Sequence, residues 1–260
     1  MSEFEPLNPH LYAKVLDELE LIRSHKPFQI LFYGSRERGD FNEYSDLNFY
    51  LLANSTDQMK PSFIESVSQA LNHLEDVAPV NMIAGDSESL KLRMRIKEPG
   101  SIQLLENASI FFGESIWEQL QGEWNQIKNR DIPIQELSNY LEKRIRFFKQ
   151  QTFKTIKEEI SQLERICTIT LHLWAIKNIH DLTAVELIKM DVPSQLEPLF
   201  QSLYKNEIDD TVIGLLRLQL RLYNLKKRAR WKKEIHRDEL FEIKYELIAL
   251  RKDEEFLLNY

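Results

Sequence analysis

Gly34 and Ser35 follow an apolar, strand-like run, Gln29 to Tyr33, and open a polar segment that can begin a helix. At such a turn, backbone N–H groups and the positive end of a helix dipole can hold phosphate oxygens. Ser45 and Asp46 then lead into a second strand-like run, Leu47 to Leu52. In an extended strand, positions 46 and 48 point to the same side, so carboxylates at both would form a Mg2+-binding pair. This chain has one carboxylate there, Asp46, and one amide, Asn48. The chemistry within reach is phosphate binding at a glycine turn beside a depleted cation site.

The spacing Gly34-Ser35, Gly39 and Ser45-Asp46-x-Asn48 resembles the signature of the DNA polymerase beta-like nucleotidyltransferase superfamily, especially its minimal and antibiotic-modifying branches. Their pattern is G-S-x-x-x-G, a short variable stretch, then S-D-x-D. The resemblance covers Phe28 to Gly113. It implies an α/β (α+β) nucleotidyltransferase fold, a mixed sheet with flanking helices, and a third carboxylate on a later, neighbouring strand. The candidate strand is Pro79 to Ile83, preceded by a helix-like stretch from Ser62 to Glu75, and position 81 is again an amide, Asn81. Leu92 to Lys97 and Gly100 to Leu105 match the family's closing segment, a basic strand or helix edge and a short apolar piece ending near Phe112-Gly113.

In that family an acceptor hydroxyl attacks the α-phosphate of a nucleoside triphosphate, and two metal ions clamp the attacking and leaving oxygens. Carried onto this chain, Gly34, Ser35, Arg36, Arg38 and Ser45 would bind the nucleotide. Asp46 would hold metal, and Asp46, Asn48 and Asn81 would fill the catalytic positions. Mg2+ and ATP, or another nucleoside triphosphate, are the implied cofactors, with a small-molecule or protein acceptor as the further partner.

Two amides change what such a pocket can do. Each offers a hard cation one neutral oxygen where a carboxylate would bring a full charge, so catalysis is expected to be weak or lost. Asn is nearly the shape of Asp, so the pocket is expected to keep its form. Asp40, Glu43 and Asp86 could compensate, although the usual surface bias of carboxylates reads them as solvated loop residues. Arg36 and Arg38 flank the turn and could neutralise triphosphate charge in place of metal, or form an exposed pair screened by Glu37 and Asp40. An active transferase using other acids, and a non-enzymatic interaction module or toxin-antitoxin component, are the alternative readings.

The elements that must position these groups divide near Gly122 to Pro133. Residues 1–120 read as the nucleotidyltransferase-type domain, 121–134 as a connection and 135–260 as an all-α helical bundle. In the first part, Tyr12, Val15, Leu16, Leu19 and Ile22 fall on one helical face. In the last, Leu137, Leu141, Ile145 and Phe148, then Phe153, Ile156, Ile160, Leu163 and Ile166, recur at helical spacing. Leu216 to Leu222 alternates like a strand, yet its residues are strong helix formers without turn signals, so a helix is expected. Pro193 and Pro198 punctuate the turns between. The resemblance also implies that a helical domain of this kind closes over the nucleotide. A general base from it would be Glu142, Glu158 or Glu159.

A second constellation is Arg165 and His172, seven positions apart and so on one helical face. Arg-x6-His falls within the loose spacing of HEPN-type ribonucleases. The plainer reading makes His172 a hydrogen-bonded residue inside the bundle, with His180 and His236 at helix ends or on the surface. No His or Cys cluster has zinc-site spacing.

With 260 residues, 43% of them hydrophobic, the chain can build one large or two ordinary cores. The single Cys167 excludes an internal disulfide and fits a small buried hydrophobe. No basic-then-apolar leader opens the sequence, and the run Ile166 to Ile176 is broken by Thr168, Thr170 and His172. A cytoplasmic location without a membrane span is expected. A net charge of -7 argues against whole-protein nucleic-acid binding. The basic run Lys226 to Lys233, with Trp231 inside it, reads first as a solvated helix face.

Overall fold

The computed structural model describes residues 9–23, 27–39, 41, 45–113, 116–150, 152–153, 155–178, 210–230, 235 and 237–253. The backbone divides into two compact units, Met1–Arg95 with Ser101–Asn129, and Ile96–Gly100 with Arg130–Tyr260.

The first unit runs α1 (Pro9–Arg23), β1 (Phe28–Tyr33), α2 (Ser35–Arg38), β2 (Leu47–Ala53), α3 (Pro61–Asn72), β3 (Val80–Asp86), α4 (Ser87–Arg95), α5 (Pro99–Asn107), β4 (Ser109–Phe112) and α6 (Ile116–Ile127). Its four strands form one mixed sheet in the order β3-β2-β1-β4. β1 is antiparallel to both β2 and β4, whereas β2 and β3 are parallel. The parallel pair needs a crossover, and α3 supplies it. Pro61 starts that helix at a position where its missing N–H costs nothing.

Strand alternation sorts the sheet residues onto two faces. Phe28, Ile30 and Phe32 of β1 and Leu47, Phe49 and Leu51 of β2 point one way. They form a core with Val15 and Leu19 of α1 and Phe63, Val67, Ala70 and Leu71 of α3. Fully burying each Phe, Ile, Leu or Val side chain of this set stabilises the unit by about 1.5–3 kcal/mol. The α1 residues are the face that the sequence periodicity picks out, with Tyr12, Leu16 and Ile22 partly buried against the same cluster. Gln29 points the other way, where its side-chain oxygen accepts the Trp117 amide at 2.8 Å and satisfies one of the open N–H groups at the start of α6.

Three segments of the sequence reading take these forms. Leu92 to Lys97, expected as a basic strand or helix edge, is largely the end of α4, whose Leu90 and Met94 are buried one turn apart. Gly100 to Leu105 lies in α5, and the short apolar strand follows as β4. The boundary expected at residue 120 falls inside α6. Trp117, Leu120 and Trp124 recur at helical spacing and are buried, and Gly122 sits where a Cβ would meet nothing. A glycine there costs about 1 kcal/mol of helix propensity without breaking the helix.

The second unit contains α7 (Ile134–Gln150), α8 (Ile156–Asn178), α9 (Asp210–Arg230) and α10 (Arg237–Asp253). All its described regular elements are helical, including Leu216 to Leu222 in α9. One core joins Leu137, Leu141 and Ile145 to Ile160, Leu163 and Ile166, to Leu215, Leu218 and Leu222, and to Leu240, Ile243 and Leu247. The Thr155 hydroxyl accepts the Glu158 amide at 3.1 Å, capping α8. Cys167 is fully buried in this core. Among the described residues, no helix is long and apolar enough to cross a membrane.

Candidate functional site

The residues singled out by the glycine turn and the S-D-x-N pattern gather at one end of the sheet. Gly34 leaves β1 with φ 98° and ψ -162°, and Gly39 ends α2 with φ 81°. Both lie in the region that side chains with a Cβ rarely adopt. Gly34 has a second constraint, since a Cβ there would stand 2.9 Å from Asn48 Nδ2. The turn therefore requires glycine both for its backbone and for its packing against Asn48.

α2 has only four residues, closed by the Arg38 amide donating to the Gly34 carbonyl at 3.1 Å. A single turn aligns few peptide dipoles, so the helix-dipole part of the expected phosphate grip is small. Ser35 begins this turn. What remains there for an anion is backbone N–H groups.

Across the strands, Asn48 stands opposite Tyr33 in β1 and in register with Asn81 in β3. The three positions 46, 48 and 81 form a directed relay. Asn81 Nδ2 donates to Asn48 Oδ1 at 3.0 Å, and Asn48 Nδ2 donates to Asp46 Oδ1 at 2.8 Å. Asp46 is 3% exposed and Ser45 is at 9%. The second of these hydrogen bonds ends on a carboxyl oxygen.

This donor set does not fit a two-metal site. One carboxylate stands where three would be needed, its Oδ1 already accepts an amide proton, and the one Asn48 oxygen is engaged by Asn81. Among the described residues, no group of three His, Cys, Asp or Glu side chains is placed to hold a metal ion.

Of the flanking cations, Arg36 is directed inward along the chain. Its Nε donates to the Ser45 carbonyl at 2.8 Å, and its guanidinium stacks over the Phe41 ring at 4.9 Å. It ties α2 to Phe41 and to Ser45. Arg38 is half-buried in α2.

Asp40 and Glu43 lie outside the described residues. Asp86 is not a solvated loop residue but is 6% exposed and caps α4. Its Oδ1 accepts the Ser89 amide and its Oδ2 the Ser89 hydroxyl, both at 2.8 Å. Burial pushes the carboxyl up, but hydrogen bonds from the Ser89 amide and hydroxyl and from Thr56 outweigh it and hold the group below its ordinary 3.8. A lowered folded pKa contributes stability that is full above the ordinary value and disappears as pH falls through the folded one. Asp86→Ala is expected to cost about 1–2 kcal/mol at neutral pH. Urea titrations of both proteins should show this gap narrowing only below about pH 3.8; a gap that is constant with pH, or absent, contradicts the cap.

Sequence reasoning passed over two residues on the same sheet face and one on α4. Tyr50, two positions beyond Asn48, is buried, and its hydroxyl accepts Arg93 Nη2 of α4 at 2.7 Å. Gly85 of β3 makes room for it, because a Cβ there would overlap the Tyr50 hydroxyl. The period-two continuation of Asp46 and Asn48 was the signal for Tyr50. Arg93 carried none, because its partner lies 43 positions away.

The remaining candidates belong to the second unit. Arg165 pairs with the fully buried Glu98, Nε to Oε1 at 2.9 Å, and His172 is itself fully buried. The exposed pair that an Arg-x6-His nuclease site would need is absent. Glu159 binds Lys244, and Glu142 and Glu158 are placed on α7 and α8. Within the basic run, Lys226 pairs with Glu164 and Arg228 with Glu239. Trp231, Lys232, Lys233, His180, His236, Pro193 and Pro198 lie outside the described residues.

No family model matches this chain, and no curated protein matches it. Among solved structures, a chain from the crystal structure of a toxin-antitoxin with AMP-PNP aligns at 15% identity. The alignment covers 50% of this chain and 90% of that one, with a TM-score of 0.28.

Proposed function

We propose that the first unit is a nucleotidyltransferase-type domain that binds a nucleoside triphosphate or a related small substrate, with nucleotidyl transfer to an acceptor hydroxyl weak or lost. The observation that carries this reading is the Asn81-to-Asn48-to-Asp46 relay beside the Gly34 turn. The mixed sheet supports it by bringing a turn suited to phosphate and the two relay strands to one end. In this reading, Gly34 and Ser35 hold phosphate oxygens through backbone N–H groups. The relay keeps the pocket's shape while using its own hydrogen bonds where metal ligands would otherwise point outward. An active transferase recruiting Asp86 finds no support, because that carboxylate is occupied at the start of α4.

A pocket of this kind binds nucleotide weakly and without a metal requirement. Calorimetric titration of ATP is expected to give affinities in Mg2+ and in EDTA that agree within about threefold, a difference below 1 kcal/mol. Tight binding that collapses on chelation would show a working metal site and would put the active-enzyme reading in its place.

A further inference from the structure

Resting on this reading, we infer that Arg93, held by the Tyr50 hydroxyl across Gly85, is the cationic group that takes a phosphate of the bound nucleotide. In a two-metal enzyme, metal ions neutralise triphosphate charge. Here the relay leaves one carboxylate and no place for them, so a ligand carrying several negative charges needs a cation from the chain. Arg36, the first candidate, is directed to the Ser45 carbonyl and to Phe41.

Arg93 has the geometry for the role. On the pocket face, β3 presents Asn81, then Ile83, then Gly85, two positions apart each time. Asn81 ends the amide relay, Ile83 is an apolar side chain 45% exposed, and the Arg93 guanidinium lies over Gly85. Four residue steps of strand take β3 from Asn81 to Gly85, about 13 Å, a length that an extended triphosphate and the long Arg93 side chain cover together. The strip thus runs from the amides beside the Gly34 turn, across an apolar floor, to a cation, so that the turn and Arg93 hold different phosphates of one triphosphate.

Three features show that the cation is placed rather than incidental. Its Nη2 donates to Tyr50 at 2.7 Å and its Nε to the Ser89 carbonyl at 3.3 Å, which fixes the plane of the guanidinium. Gly85 is the residue that lets the hydroxyl reach it. Among the described residues, no carboxylate pairs with Arg93, and the side chain is half-buried, so its charge is not neutralised in place. Both partners are neutral acceptors, and a planar guanidinium held this way offers its remaining N–H groups to a phosphate.

The test is ATP titration in EDTA on the intact chain, with adenosine displacement of bound ATP as the uncharged arm. Arg93→Met is expected to weaken ATP about tenfold or more, the scale of one charge-assisted contact, and to flatten the dependence of affinity on NaCl. Arg93→Lys keeps the charge without the fork and should recover part of the loss. Tyr50→Phe frees the guanidinium and should weaken ATP less than Arg93→Met does. Adenosine displacement constants should stay unchanged in all three. Equal losses for adenosine and ATP, or full ATP affinity in Arg93→Met, overturn the role of Arg93 while leaving nucleotide binding intact. A wild-type protein that binds no ATP in EDTA overturns the nucleotide reading itself and this inference with it. If Arg93→Met does not fold, as judged by circular dichroism, Arg93→Lys and the wild-type salt dependence decide: unchanged values in both reject the assignment.

Discussion

Asn48→Asp combined with Asn81→Asp is expected to yield a protein that is less stable without metal and is restored by Mg2+ or Mn2+, a response lacking in the present chain. The physical basis is the relay. Both of its hydrogen bonds, 2.8 Å and 3.0 Å, depend on amide donors that a carboxylate lacks. The double substitution removes both and brings three negative groups together at those distances. Two lost hydrogen bonds cost about 1–3 kcal/mol, and repulsion between carboxylates at one site adds to that at neutral pH. A cation that binds only the folded form returns stability as its concentration rises, about 2.7 kcal/mol at one hundred times its dissociation constant. Thermal denaturation with and without metal measures both halves. Because Asn and Asp have nearly the same shape, and Gly34 already leaves room at Asn48, no steric penalty is expected. If the double variant ignores metal, three carboxylates at these positions do not make a metal site. The transferase-type reading then gives way to a non-enzymatic interaction module.

The second large effect is expected far from the pocket. Arg165→Met should destabilise the second unit by about 3–5 kcal/mol, because it takes the guanidinium away from a carboxylate that the fold buries completely. Glu98 is 0% exposed and lies in Ile96–Gly100, the short segment that groups with the helical unit although its neighbours on either side belong to the first. That segment holds further groups away from water. Lys97 has φ 55°, the one positive φ outside glycine among the described residues, and its amine donates to the Arg130 carbonyl. Burial pushes the Lys97 amine down from its ordinary value, the Asp131 charge partly restores it, and Arg130 lowers it further. Glu98→Gln with Arg165→Met removes both charges and should recover a large part of the loss. Chemical denaturation of the two variants separates the cases. A cost below about 1 kcal/mol for Arg165→Met would place the pair in the class of weak, solvent-screened bridges.

The same pair shows how far sequence spacing reaches. Arg165 and His172 share a helix, and their separation fits the loose spacing of a nuclease motif. The structure gives Arg165 to Glu98, 67 positions earlier, and closes His172 into the core. A spacing of seven states only that two side chains face the same way from one helix. It carries no information about what faces them.

What the sequence by itself determined was local and periodic. The apolar runs Gln29 to Tyr33 and Leu47 to Leu52 marked two strands, and the three-to-four-residue recurrence of Tyr12, Val15, Leu16, Leu19 and Ile22 made one face of α1. The glycines at 34 and 39 marked a turn because their backbone angles exclude other residues. These signals survive without knowledge of the fold, since a pleated strand and a helix impose their periods wherever they form. Tertiary structure decided everything that depends on a partner distant in sequence. It placed Asn81 beside Asn48 across 33 positions, turned Asp86 from a loop acid into a helix cap, sent Arg36 to a carbonyl, and brought Arg93 to Tyr50. The reason is physical. A polar side chain buried on folding must find a hydrogen-bond partner, and which partner it finds is set by sheet register and helix packing, long-range contacts that no local period encodes.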